Sequence, residues 1–100
     1  MKVLEIKIME DCMEGRNVRD LYFEGKITKD IVGYLSSLGK MVYHNFNPKP
    51  YFELIVKGQY TLKGSIGNPY ARLLLPDDAG NAHIDEVVRF IENYKHERPK

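Results

Sequence analysis

The chain has 100 residues, 43% of them hydrophobic and 29% charged, an ordinary globular balance with room for one domain over residues 1–100. Its 15 Lys and Arg stand against 14 Asp and Glu, so the formal net charge of +1 excludes a global pull toward nucleic acid, anionic membrane or acidic substrates; only a local patch could supply one. Cys12 is the only cysteine, which excludes an internal disulfide or a multi-cysteine zinc or iron–sulfur site within one chain and points to a reducing, cytoplasmic setting.

Leu4, Ile6 and Ile8 alternate with Glu5 and Lys7, the period-two pattern of a strand with one buried and one wet face, over residues 2–9. The same alternation excludes a signal peptide, which needs an apolar region of about 7–15 residues. Stretches such as residues 73–75 fall far short of the roughly 20 apolar residues of a membrane span, so no membrane partner is expected. Residues 10–17 read as a charged loop, with a short second strand over Val18–Phe23 as an option.

From Ile27 the period changes. Ile27, Ile31, Leu35 and Leu38 recur every three or four residues, which predicts a helix over residues 29–38 with Thr28 as N-cap and Gly39 as the left-handed residue that ends it. Strand composition returns over residues 40–46, 51–57, 59–65 and 70–75, an antiparallel meander. Asn47-Pro48-Lys49-Pro50 cannot continue a strand and forms a rigid connection. Gly58-Gln59 is a tight hairpin turn and Gly67-Asn68-Pro69 a longer one. Ile84, Val87, Val88, Ile91 and Tyr94 then predict an amphipathic helix over residues 82–95, capped by Asn81 or His83, before a frayed tail at 95–100.

The fold class is therefore α+β: a single antiparallel sheet in the order β-α-β-β-β-β-α, with both helices on one face. The alternative is a ferredoxin-like arrangement. This element order is similar to that of one repeat of the TATA-box binding protein and of helix-grip folds, a likeness of order alone that carries no function.

Several clusters could carry chemistry. Glu10-Asp11-Cys12-Met13-Glu14 gathers carboxylates and a thiol, but it lacks the spacing of a calcium loop, and a solvated acidic loop with a half-buried cysteine explains it more simply. His44, His83 and His96 form no ligand pair at local spacing, and Asp77-Asp78 suits a helix entry better than a cation. No catalytic residue, metal or cofactor is assigned.

Alternation over the meander separates an apolar face (Phe52, Leu54, Val56, Tyr60, Leu62, Ala71, Leu73) from an open one. The open face bears Tyr43 or His44 with Tyr51, Lys57, Lys63, Tyr70 and Arg72. Aromatic platforms beside cations are what single-stranded nucleic-acid binders use, although ordinary exposed strands also favour Tyr, Thr and Lys. A rigid rim at residues 45–52 adds Asn47, Lys49 and Tyr51 as a contact site, unless its prolines only guard a sheet edge.

The leading expectation is a noncatalytic protein-binding or accessory module that uses the mixed sheet face or an edge strand to contact another protein or its own copy. Its candidate binding residues are His44, Asn47, Lys49, Tyr51, Lys63, Tyr70 and Arg72. One alternative is a small-ligand or enzymatic site between sheet and helices near Cys12 and His44. The other is single-stranded nucleic acid on the open face.

Overall fold

Alternating strand sequences pair into one six-stranded antiparallel sheet in a computed structural model, which describes residues 1–9, 17–45, 50–76 and 82–94. In chain order the elements are β1 (Val3–Met9), β2 (Val18–Phe23), α1 (Lys29–Leu35) running into a 3-10 turn (Ser36–Leu38), β3 (Lys40–His44), β4 (Tyr51–Val56), β5 (Tyr60–Ser65), β6 (Tyr70–Leu74) and α2 (Ala82–Glu92). The sheet order is β1-β2-β6-β5-β4-β3. Two strands rather than one thus precede the first helix. The option at Val18–Phe23 is a full strand at the interior of the sheet, paired to β1 and β6.

The core forms on one face. Leu21 and Phe23 of β2, Phe52 and Leu54 of β4, Tyr60 and Leu62 of β5, and Ala71 and Leu73 of β6 are buried together with Ile27, Ile31, Val32 and Leu35 around α1 and Ile84, Val87 and Ile91 of α2. Both helices therefore cover the same face, as their apolar stripes require. Tyr34 joins them: its ring stacks on Phe90 at 4.4 Å and its hydroxyl donates to the Phe90 carbonyl at 2.7 Å.

Local details depart from the sequence pattern in three places. Thr28 caps α1, its hydroxyl accepting from the Ile31 N–H at 3.4 Å, but the helix tightens to 3-10 after Leu35. Gly39 is extended (φ −177°), not left-handed. Its smallness serves a close approach, because a Cβ there would meet the Ile55 carbonyl oxygen at 2.5 Å. The third departure is β1, whose apolar set was expected to be buried: Leu4, Ile6 and Ile8 are 61%, 42% and 64% exposed. Ile6 does register with core-facing Leu21, yet the described helices meet only the start of this edge strand, where the Val3 N–H donates to Glu92 Oε2 at 3.1 Å.

The turns are built as their glycines dictate. Gln59 N–H donates to the Val56 carbonyl at 2.9 Å with Gly58 at φ +78°, and Asn68 N–H to the Ser65 carbonyl at 3.2 Å with Gly67 at φ +92°; each is a four-residue turn whose third position takes the positive φ that glycine permits. The second turn is tied to the segment after β2 by Gly67 N–H to the Ile27 carbonyl (2.8 Å) and Ile27 N–H to the Asn68 carbonyl (2.9 Å). That anchoring fixes the rim of the open face.

Candidate functional site

Strand register converts the open face into rows of side chains running across the sheet. The central row is Val42, Glu53, Lys63, Arg72, Asp20 and Lys7, contributed by β3, β4, β5, β6, β2 and β1 in turn. Charge thus changes sign three times along it. Asp20 is 3% exposed and accepts two hydrogen bonds from Arg72, from Nε at 2.8 Å and Nη2 at 3.1 Å. The bidentate geometry holds the guanidinium flat against the sheet and compensates a carboxylate that burial would otherwise penalise.

A second row is aromatic. His44 registers with Tyr51 and Tyr51 with Ser65, while Tyr70 registers with Tyr22. His44 stacks on Tyr51 with ring centroids 4.4 Å apart, and Tyr22 on Tyr70 at 5.5 Å. The His44 Nε2 also lies 3.2 Å from Glu53 Oε1, which ties the aromatic row to the charged one. Lys7 Nζ sits 5.5 Å from the Tyr22 ring centroid.

Between the two stacked pairs lies a shallow cleft of about 220 Å³, lined by Tyr51, Lys63, Gly64, Ser65, Asn68, Tyr70 and Arg72. Its origin is local chemistry. Tyr51 and Tyr70 stand on β4 and β6 with only β5 between them, so their backbones are about 9.5 Å apart. Small Ser65 on the intervening strand leaves the space above it open. A planar group placed midway would lie about 4.8 Å from either ring, within the 4.5–7 Å range of favourable aromatic contacts. The volume is below the roughly 300–1,000 Å³ of pockets that enclose a whole drug-sized ligand, so the cleft suits one side chain or one ring.

Of the residues singled out from the sequence, Tyr51, Lys63, Tyr70 and Arg72 line this cleft and His44 backs it through Tyr51. Tyr43 points the other way, registering with core residue Phe52, and Lys57 belongs to the turn after β4. Asn47 and Lys49 lie outside the described residues, as do Cys12 with its acidic neighbours, Asp77-Asp78, Asn81, His96 and the tail. Ser65, Asn68 and Tyr22 were not singled out. Ser65 follows from the alternation once the partner strand is known, whereas Asn68 and the Tyr22–Tyr70 stack depend on a turn and a strand pairing that sequence spacing does not encode.

His44 lies on the side away from the helices, so it is not placed for a site between sheet and helices. Its ring is two strands from the Ser65 hydroxyl, on the order of 9–10 Å, whereas a general base must come within about 2.6–3.2 Å of the proton it takes. Among the described residues no group of three or more His, Cys, Asp or Glu could hold a metal ion, and no helix is long and apolar enough to cross a membrane. No protein-family model matches the chain, nor does any curated protein or solved structure.

Proposed function

We propose that the protein is a noncatalytic, cytoplasmic protein-binding module whose open sheet face is its recognition surface. The observation that carries this reading is the cleft between the His44–Tyr51 and Tyr22–Tyr70 stacks, bordered by a row of mixed charge. Tyr and Arg are the side chains that dominate protein-binding hot spots. The partner segment this surface suits presents one aromatic or otherwise planar side chain to the cleft, with an acidic residue beside it facing Lys63 and Arg72.

Single-stranded nucleic acid is the second reading, favoured by the aromatic row. The charged row opposes it: a phosphate backbone following Lys63, Arg72 and Lys7 would pass Asp20 on the way and meet Glu53 at the Lys63 end, and polyanion binding needs a track of one sign. Random peptides displayed on phage and selected on the immobilised protein, then titrated into isotope-labelled protein, test the proposal. The expected result is that the amide signals of Tyr51, Lys63, Ser65 and Tyr70 move with a selected peptide and stay in place with a random oligonucleotide pool at low salt. Movement with the oligonucleotides alone replaces the proposal by the second reading; movement of neither refutes both.

A further inference from the structure

Among the described residues the fold leaves a second surface open, the outer edge of β1, which ends the sheet two strands away from β6 and contributes no lining residue to the cleft, although its Lys7 ends the charged row. An edge strand presents unpaired backbone N–H and C=O groups, and exposed apolar side chains on it invite another strand. Here Leu4, Ile6 and Ile8 are all exposed, and Glu5 and Lys7 between them are exposed as well. The opposite edge, β3, is shorter at five residues and carries Lys40 at its start.

The sequence of β1 selects its own partner. Leu4-Glu5-Ile6-Lys7-Ile8 reads apolar, acidic, apolar, basic, apolar in one direction, and with the charges exchanged in the other. When two copies pair antiparallel about a two-fold axis perpendicular to the sheet, side-chain faces match only if the axis passes through a residue position. Centred on Ile6, Glu5 of each copy faces Lys7 of the other, Ile6 faces Ile6, and Leu4 faces Ile8. Centred one position earlier, Glu5 faces Glu5; one position later, Lys7 faces Lys7. Opposite charges facing across strands stabilise and like charges destabilise, so one register is favoured and both its neighbours are penalised. The strand is regular over Glu5 to Met9, which pair with β2 in continuous register and include both charged positions and the central Ile6, while its one irregularity, between Val3 and Glu5, falls at Leu4.

We propose that the protein forms a two-fold homodimer by antiparallel pairing of β1 with β1 of a second copy, centred on Ile6 and held in register by two Glu5–Lys7 pairs. The result is a continuous twelve-stranded sheet, six strands from each copy. On its helix side, Ile6 of one copy covers Ile6 of the other and each Ile8 lies against Leu4 of the facing strand, which supplies the burial that the edge strand lacks in a single chain.

Sedimentation velocity across a concentration series, on the whole chain and three variants, tests this. The wild type is expected to dimerise, and Glu5→Lys and Lys7→Glu each to weaken dimerisation about tenfold or more, because both pairs in the interface become repulsive. The double variant Glu5→Lys/Lys7→Glu restores dimerisation to near the wild-type level. An equimolar mixture of the two single variants also restores it, since each chain then meets its opposite. Circular dichroism shows whether each variant is folded, and the double variant and the mixture keep the test decisive if a single variant is less stable. A wild type that stays monomeric at all concentrations overturns the proposal; so does a dimer that ignores both single substitutions, or one that neither the double variant nor the mixture recovers. None of these outcomes bears on the cleft, whose own test reads different residues.

Discussion

Removing Arg72 should damage the fold more than removing its partner Asp20, although each substitution breaks the same ion pair. The asymmetry comes from burial: the Asp20 side chain is 4% exposed and that of Arg72 30%. In Arg72→Met the aliphatic stem is kept, but the carboxylate remains in a dry site stripped of its bidentate donor. Breaking a buried pair in this way costs about 3–5 kcal/mol, and the open face argues for the lower end, near 3 kcal/mol. In Asp20→Leu the guanidinium keeps its access to water, so the expected loss is nearer 1 kcal/mol, offset in part by the added apolar burial. The double variant should then lose clearly less than the sum, with a coupling of about 2 kcal/mol, because no buried charge is stranded. Against a total stability of about 5–15 kcal/mol these differences are measurable by equilibrium urea denaturation with an unchanged m value. Equal losses in the two single variants, or strict additivity in the double, would refute the reasoning.

Burial pushes the Tyr60 phenol up from 10.0 to about 12, with the nearby Glu86 carboxylate adding to the shift. The folded state thus holds its proton more tightly than the unfolded chain, and this stability is fully present below pH 10 and is lost as pH rises toward 12. At about 1.4 kcal/mol per tenfold in proton affinity the loss is roughly 2–3 kcal/mol, and the difference in stability between wild type and Tyr60→Phe, followed from pH 9 to 12, should show it; parallel curves would contradict it. Two helix-associated glycines should respond in opposite directions to alanine. Gly33→Ala, with nothing within 4 Å of the new Cβ, should raise stability by about 0.5–1 kcal/mol in thermal or urea melts. Gly39→Ala, whose Cβ meets the Ile55 carbonyl oxygen, should lower it by about 1–3 kcal/mol.

Much of the fold was legible because the meander alternates cleanly: Phe52, Leu54, Leu62, Ala71 and Leu73 could be assigned to the core face from period two alone, and all are buried. The stripe Ile84, Val87, Ile91 gave α2 in the same way. Strand β2 was harder to read since Asp20 interrupts its apolar pattern, and the residue that makes a buried aspartate tolerable, Arg72, is 52 positions away in the chain. The exposure of β1 was hidden for a related reason. Alternation says that one face of a strand is apolar, but only the placement of the helices decides whether anything covers it. The open face was visible as a set of residues, Tyr51, Lys63, Tyr70 and Arg72, while the cleft required the pairing of β4, β5 and β6 and the small Ser65 between two tyrosines.

Recognition through the cleft is tested most directly by calorimetric titration of a selected peptide into wild type, Tyr51→Ala, Tyr70→Ala and a Tyr43→Ala control. The cleft account predicts that Tyr51→Ala and Tyr70→Ala each weaken binding by at least about 1–2 kcal/mol, since each removes one wall of the space that receives the planar group, while the protein stays folded. Tyr43→Ala, on the helix side of the sheet, leaves the affinity unchanged. Wild-type affinity in folded Tyr51→Ala and Tyr70→Ala, or a loss confined to Tyr43→Ala, would contradict it.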